Sequence, residues 1–245
     1  MRILWLGGEV PGLHSSPGAT CVYCQNYDIS QGGAGRAVEA ADIAAMMLDL
    51  QQRGCHNINV VSPSHVVPQM LASVLIAVEA GLRLPLVYNT GGYDSLESLR
   101  LLDGVIDIHR PDMKYADEQV GREYSGVPDY PLVNRTAVAE MHRQVGDLRL
   151  DDRGVARRGI IVRHLVLPGG LAGTAKTAKF LAEEVSPDTY VNVMDQFHPS
   201  FRSGDYSEVD QRISRLEHAL AESGMESAGL LRLDRRRADG GRLAW

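Results

Sequence analysis

Cysteine is scarce in this sequence, and its scarcity limits the kind of protein that the sequence encodes. Three cysteines in 245 residues are too few, and odd in number, for a disulfide framework. We therefore expect a reducing, cytoplasmic environment in which thiols act as ligands, catalysts or core residues. No apolar stretch approaches the length of a transmembrane helix, and the short apolar run at the N-terminus lacks the pattern of a secretory signal.

Aromatic residues are also few, at 6%, and basic residues are outnumbered by acidic ones. The 25 Lys and Arg residues against 31 Asp and Glu give a net charge of -6, so no overall positive field exists to hold a nucleic acid or an anionic membrane. We expect neither as a partner. The 44% of hydrophobic and 23% of charged residues are typical of one globular domain, and the length suits a single α/β barrel or doubly wound sheet.

Helical and strand-like patterns alternate along most of the chain. Apolar spacing predicts helices over residues 36–53, 66–80, 96–102, 132–145, 174–184 and 209–222. Short β-branched runs predict strands over residues 57–61, 84–88, 105–108, 160–167 and 190–194. Repeated strand–helix units imply parallel strands joined by right-handed crossovers. With a sixth strand expected near the N-terminus, the pattern favours a partial barrel over a complete eight-stranded one.

In such a sheet, polar residues that follow the strands gather at one edge and become the functional candidates. Cys21 and Cys24 stand out because their spacing lets both sulfurs reach one metal or cluster. A zinc knuckle would need a second cysteine pair, which the chain lacks. A thioredoxin-like redox pair would open a helix, and residues 25–32 do not resemble a helix start.

Five motifs in order resemble those of a known family. They are CVYCQNYDISQ at 21–31, LPLVYNTGGYDSL at 84–96, PDMKYAD at 111–117, RHLVLPGG at 163–170 and YVNVMDQ at 190–196. The chain resembles radical S-adenosylmethionine (SAM) proteins related to the pyruvate formate-lyase activating enzyme, specifically the PflX-like branch. The resemblance runs from about residue 21 to residue 200 and implies an α/β fold, a partial (β/α)6 TIM-like barrel with a parallel sheet.

The resemblance also implies cofactors, a reaction and partners. In this family a Cys-x3-Cys-x2-Cys loop holds a [4Fe-4S] cluster, and SAM chelates the fourth iron. One-electron reduction cleaves SAM to methionine and a 5′-deoxyadenosyl radical, which abstracts a hydrogen atom. The implied partners are a glycyl-radical enzyme or another protein substrate, and an electron donor such as flavodoxin or ferredoxin.

Matching this sequence to the family's motifs predicts the site residues. Cys21 and Cys24 match the second and third cluster ligands and are the predicted catalytic and metal-binding residues. The predicted cofactor-binding residues are Tyr23 near the adenine, Ser64 and His65 where relatives carry Gly-Gly-Glu, Asn89, Thr90, Asp112 and Lys114 near SAM, and His198 near the ribose.

For some of these residues a structural role stays open. Asp112 and Lys114 lie on one side of an extended segment and could form a structural ion pair. Thr90 could cap a helix, and Asn89 could serve only the turn that follows it. His164 and Cys55 are expected to be satisfied core groups.

The position of the family's first cluster cysteine is occupied by Pro17, and no cysteine occurs in residues 1–20. Proline has no ligating side chain, so two thiolates plus SAM would hold the cluster, and Cys55 is a poor substitute. One coding of the family's loop, read one nucleotide later, gives Ser15–Cys21. We hypothesise that residues 1–20 are an aberrant, frame-displaced or disordered segment, 21–229 the barrel and 230–245 a flexible tail.

This departure keeps two other functions open. The chain could be a catalytically impaired homologue that binds SAM or a partner protein without a stable cluster. It could also be a metal-binding module that uses Cys21 and Cys24 for zinc.

Overall fold

The computed structural model describes residues 4–5, 20–30, 32 and 37–234. Its strands are β1 (Leu4–Trp5), β2 (Ile58–Val61), β3 (Leu86–Thr90), β4 (Ile108–Met113), β5 (Arg149–Leu150), β6 (Ala156–Leu165) and β7 (Tyr190–Met194). Its helices are α1 (Tyr27–Ser30), α2 (Ala40–Gln52), α3 (Val67–Glu79), α4 (Leu96–Leu102), α5 (Glu118–Ser125), α6 (Tyr130–Val145), α7 (Thr174–Phe180) and α8 (Arg215–Ser227). A π-helical turn, Leu181–Val185, extends α7.

Six strands form one parallel sheet in the order β1-β2-β3-β4-β6-β7, and the short β5 adds to β6 in the antiparallel sense. No pairing between β7 and β1 is seen in the described part of the chain, so the barrel is open. The predicted partial barrel of six parallel strands is confirmed. No helix among the described residues is long and apolar enough to cross a membrane.

Alternate residues of each strand serve two different cores. Tyr88, Ile160 and Val162 point toward the helices and join the large core that packs the sheet against them. A smaller cluster inside the barrel consists of Val87, Ile108, Ala156, Ile161 and Tyr190 from the strands, together with Leu148, which precedes β5. We call this cluster the interior floor. The two-residue period of a strand produces this division.

The strand predicted over residues 105–108 was placed too early. Val105 and Ile106 donate their backbone N–H groups to the carbonyl of Leu102 and still belong to the end of α4. The strand runs instead from Ile108 to Met113, so Asp112 lies within β4 and not after it.

Helix α5 was not predicted, because it is short and mostly polar and its apolar side chains are limited to Val120 and Tyr124. The Asp117 side chain caps its first turn by accepting from the N–H groups of Gln119 and Val120. Gly126, with φ of 69°, ends it in the left-handed conformation. The last helix likewise begins later than predicted, at a capping box formed by Ser214 and Glu217.

The chain after Gly229 stays with the barrel for five more residues. Leu230 is fully buried, and the backbone of Val191 on β7 donates to Arg232 and accepts from Asp234. The predicted flexible tail over 230–245 therefore began too early, and residues 235–245 lie outside the described part. Of the segment predicted to be aberrant, the structure describes only residues 4, 5 and 20, and residues 4 and 5 form β1, which pairs with β2.

Two buried histidines on the sheet form hydrogen bonds to a neighbouring strand and to two helices. His164 on β6 donates from Nδ1 to the Met113 carbonyl, and its Nε2 accepts from the Thr174 hydroxyl, both at 2.9 Å. His109 on β4 contacts Gln144 of α6 through Nε2 at 3.0 Å, while its Nδ1 is buried and has no hydrogen-bond partner among the described residues. Burial lowers the pKa of each imidazole to about 4. His164 is thus a satisfied structural group, as expected.

The two buried histidines should lower the free energy of unfolding as the pH is lowered. The unfolded chain takes up protons near 6.5, whereas folded His109 and His164 resist protonation until about 4. Stability is therefore full above pH 6.5 and falls as the pH drops toward 4. Between pH 7.5 and pH 5.5 each histidine should lower the free energy of unfolding by about 1.4 kcal/mol. Urea titration at the two pH values measures this difference.

The variant His109→Gln should remove about half of the pH dependence that the two groups produce. His56 is exposed, so His56→Gln serves as the matched control and should leave the dependence unchanged. An equal slope of stability against pH in His109→Gln and the unmodified chain would contradict this account.

Candidate functional site

Backbone hydrogen bonds fix the cysteine loop, residues 20–26, at the carboxyl edge of the sheet. The Cys24 N–H donates to the Cys21 carbonyl at 3.1 Å, which closes a turn between the two thiols. Val22 anchors the loop on both sides, because it donates to Tyr124 of α5 and accepts from Arg202 in the segment after β7. Both sulfurs therefore occupy the edge where the parallel strands end.

The Cys21 sulfur is buried among hydrogen-bond donors. The Ser125 hydroxyl lies 3.0 Å from Sγ, the Lys114 ammonium 3.7 Å and the Tyr115 hydroxyl 3.9 Å. Cys24 is partly exposed, with its Sγ 3.3 Å from the Ser30 hydroxyl. Hydroxyl and ammonium donors thus surround the Cys21 sulfur, whereas the Cys24 sulfur has one hydroxyl neighbour and is partly open to solvent.

Lys114 lies between the cysteine loop and the barrel. Its ammonium is 3.8 Å from the Asp112 carboxylate, which also forms an ion pair with Arg163. Burial alone lowers the pKa of Lys114, but the nearby Cys21 and Asp112 outweigh burial and raise it. Lys114 is therefore a fixed cation at the carboxyl edge. The predicted pair of Asp112 and Lys114 is thus formed, and it adjoins the cysteine loop.

Tyr23 and His198 both lie at the cysteine loop. The Tyr23 ring packs edge-to-face on Phe197, with centroids 5.3 Å apart, and its hydroxyl bonds that of Tyr115. Burial, followed by the neighbouring Tyr115 and Cys21, raises the pKa of Tyr23. The Gln25 side-chain amide lies 3.1 Å from Nδ1 of His198. The Tyr23 ring is buried beneath the loop, and its predicted role beside an adenine stays a prediction.

Ser64 and Thr90 belong to a separate cluster around Asp94. This buried carboxylate accepts from the Ser64 and Thr90 hydroxyls at 2.6 Å each and from the Tyr88 hydroxyl at 2.7 Å. Burial raises the pKa of Asp94, and the three hydroxyls act against that rise. Sequence reasoning assigned no role to Asp94. His65, the next predicted residue, is exposed on the Pro63–His65 turn and adds nothing to this cluster.

A belt of polar side chains lies inside the barrel directly above the interior floor. It consists of Asn89 on β3, Arg110 and Asp112 on β4, Arg163 on β6 and Asn192 on β7, and we call it the interior belt. The strand register places Asn89 beside Arg110, and Arg163 between Asp112 and Asn192. Each belt residue follows a floor residue at two- or four-residue spacing, so both groups share one face of the sheet.

Sequence reasoning missed Arg110, Arg163 and Asn192. For Arg163 and Asn192 the signal available was a polar residue two positions after an apolar one inside a predicted strand, whereas Arg110 lies just after the strand predicted over residues 105–108. Parallel strands covered on both faces are ordinarily apolar throughout, so polar residues at these interior positions are unusual.

Two solved structures share this fold. A radical SAM methyltransferase from Sphaerobacter thermophilus matches with a TM-score of 0.54 and 14% identity, over 89% of this chain and 63% of that chain. The chain has the fold of a radical SAM enzyme. HydG, a maturase of the [FeFe]-hydrogenase, matches with a TM-score of 0.55 and 12% identity, over 86% of this chain and 47% of that chain.

In sequence, an uncharacterized protein of Methanocaldococcus jannaschii is 27% identical over 210 residues. The alignment covers 82% of this chain and 57% of that protein, so this chain spans less than two thirds of the relative's length. No protein-family model matches the chain.

The cysteine loop fits two protein positions of a [4Fe-4S] cluster. Cys21 and Cys24 have the required spacing, and the donors around Cys21 suit a thiolate ligand. Cys55 lies before β2, at the opposite edge of the sheet, and packs against the large core. No group of three His, Cys, Asp or Glu residues suited to a metal ion occurs among the described residues, and Pro17 lies outside them.

Asp94 should be important for stability, because its removal leaves three hydroxyls without their acceptor. We expect Asp94→Ala to lower the free energy of unfolding by about 2–4 kcal/mol in urea titration. The matched control is Asp103→Ala, which removes an exposed ion pair with Arg143 and should cost less than about 0.5 kcal/mol. Equal losses in the two variants would contradict the assigned role of Asp94.

Proposed function

We propose that this chain is a radical SAM enzyme of the glycyl-radical-activating type, in which Cys21 and Cys24 hold two irons of a [4Fe-4S] cluster. The observation that carries the proposal is the position of these thiols. They lie in one loop at the carboxyl edge of six parallel strands, beside the buried ammonium of Lys114. In barrels of parallel strands this edge is where active sites occur.

The residues around the loop suit SAM chemically. Lys114 offers a permanent cation for the SAM carboxylate, and Asp112 offers an acceptor for the SAM amino group. His198, held beside Gln25, is available to a ribose hydroxyl. The buried rings of Tyr23, Tyr115 and Phe197 exclude water beneath the loop. When bound, the reduced cluster would supply the electron that cleaves SAM to the 5′-deoxyadenosyl radical.

The partners belong to the same proposal. A glycyl-radical enzyme or another protein would be the substrate, and a flavodoxin or ferredoxin would be the electron donor. The fold alone fixes neither, because one fold hosts many reactions. The support for these partners is the series of motifs that resemble activating enzymes.

A second function is favoured by the donor set itself. The described residues bring two thiols to the carboxyl edge, while Cys55 lies at the other edge. A chain with two thiolates would bind a cluster weakly and could retain only SAM or partner binding. This catalytically impaired homologue is the alternative that the experiment must separate.

Anaerobic reconstitution with iron and sulfide, followed by an assay for 5′-deoxyadenosine, tests the proposal. The unmodified chain should bind about four irons and cleave SAM. Cys21→Ser and Cys24→Ser should each lower the rate of cleavage by at least about a hundredfold, because each removes a ligand. Cys55→Ser is the matched control and should retain both iron and cleavage.

The comparator Pro17→Cys separates the two candidates. Cleavage only in Pro17→Cys would favour the impaired homologue over the active enzyme. Stoichiometric zinc without iron in the unmodified chain would contradict both and favour a zinc module.

A further inference from the structure

A row of three buried hydroxyl groups leads to the sulfur of Cys21. The hydroxyl of Tyr23 bonds the hydroxyl of Tyr115, which lies 2.7 Å from Oγ of Ser125. That Oγ lies 3.0 Å from Sγ of Cys21. The four residues are at most 6% exposed, so bulk water does not compete for these hydrogen bonds. We call Tyr23, Tyr115 and Ser125 the hydroxyl chain.

The number of available protons gives the hydroxyl chain a direction. Each hydroxyl has one proton to donate, whereas a cysteine sulfur bound to iron has none. Ser125 must then donate to Sγ of Cys21, because otherwise two electron-rich atoms would face each other at 3.0 Å with no hydrogen between them. The Ser125 oxygen accepts from Tyr115, and the Tyr115 oxygen accepts from Tyr23. Every proton of the chain is therefore directed toward the sulfur.

The backbone fixes the Ser125 hydroxyl beside the sulfur. Ser125 is the last residue of α5, and Gly126 ends this helix in the left-handed conformation. The carbonyl of the preceding residue, Tyr124, accepts from the N–H of Val22, the neighbour of Cys21. The hydroxyl cannot move away from Cys21 without disturbing this contact between α5 and the cysteine loop.

The second thiol of the loop has a different environment. Sγ of Cys24 has the Ser30 hydroxyl at 3.3 Å, but Cys24 is partly exposed and Ser30 is exposed. Water can take the place of a hydroxyl at such a position. At the buried Cys21 sulfur a lost hydroxyl has no such replacement, so only there does the loss leave its full effect.

We propose that the hydroxyl chain raises the reduction potential of the cluster through the sulfur of Cys21. Reduction adds one electron to the cluster, and no bond to carbon or hydrogen forms or breaks in this step. Donors directed at a ligand sulfur stabilise the more negative, reduced form, and the two tyrosine hydroxyls strengthen the last hydrogen bond. The three members of the chain are thus positioning residues that act through a ligand. This inference rests on the proposed function, because it requires the cluster.

The experiment measures the midpoint potential of the reconstituted cluster by an anaerobic redox titration followed by electron paramagnetic resonance. SAM is left out, so that differences in SAM binding do not contribute. Ser125→Ala should lower the equilibrium constant for one-electron reduction at least about fivefold, the factor that corresponds to one net hydrogen bond. Tyr115→Phe should lower it about twofold, because Ser125 still donates but without strengthening from its neighbour, and Tyr23→Phe should lower it less than Tyr115→Phe.

Two further variants separate the hydroxyl from packing. Ser30→Ala removes the hydroxyl beside Cys24 and is the matched control, which should change the constant by less than about 1.5-fold because water replaces the hydroxyl. Ser125→Thr keeps the hydroxyl and should stay within about twofold of the unmodified chain. Iron content is measured in every variant, since a role confined to packing would change the amount of cluster and leave its potential unchanged.

Two results would overturn the inference alone. One is an equal potential in Ser125→Ala and the unmodified chain, and the other is a larger shift in Tyr23→Phe than in Ser125→Ala, which would contradict the direction of the chain. The same series is measured in the Pro17→Cys background, so that a weakly assembled cluster does not prevent the test. A protein that assembles no cluster in either background would contradict the proposed function and this inference together.

Discussion

The ammonium group of Lys114 connects the two parts of the candidate site. It lies 3.7 Å from the Cys21 sulfur and 3.8 Å from the Asp112 carboxylate, and so joins the cysteine loop to the barrel. A buried cation is stable only where anions or acceptors surround it, so the positions of Cys21 and Asp112 are coupled through Lys114. The loop that carries the thiols is therefore held in register with the strands that carry the interior belt.

The backbone around Lys114 is held by helix α6. The Tyr130 hydroxyl accepts from the Lys114 N–H and contacts the carbonyls of Gly91 and Asp112, while the Asn134 amide donates to Gly92 and Asp112. Gly92 has φ of 76°, and a Cβ there would collide with the Asp112 carbonyl and the Asn134 side chain. The carboxyl ends of β3 and β4 can therefore approach this closely only with glycine at that position.

The sequence predicted the architecture well because its signals were local. Strand Tyr190–Met194 and helix Leu96–Leu102 have the bounds that their apolar patterns indicate. The cysteine spacing and the pair of Asp112 and Lys114 were also visible, because both lie within a few residues of one another. Helix α5 was missed, because between its caps at Asp117 and Gly126 the helix is short and its apolar face consists only of Val120 and Tyr124.

Side-chain contacts between residues that are distant in the sequence could not be predicted from local patterns. Ser64 and Thr90 were predicted as ligands for SAM, yet their hydroxyls donate to Asp94, a pairing that depends on how β2 and β3 end. The belt as a group was missed because its members come from four strands. Asn89 and Asp112 were predicted for other reasons, whereas Arg110, Arg163 and Asn192 each look like an isolated polar residue among apolar ones. Only the register of the sheet shows that Asp112, Arg163 and Asn192 form one row.

The same register limits which residues can complete a cluster at the cysteine loop. In a parallel sheet every strand begins at one edge and ends at the other. Cys55 precedes β2 by three residues, so the whole of Ile58–Val61, roughly 13 Å of extended chain, separates it from the edge that holds Cys21 and Cys24. Its side chain also packs against the large core, and moving it would disrupt that packing. Of the three cysteines in the sequence, Cys55 is therefore not placed to join Cys21 and Cys24 as a third ligand at the cysteine loop.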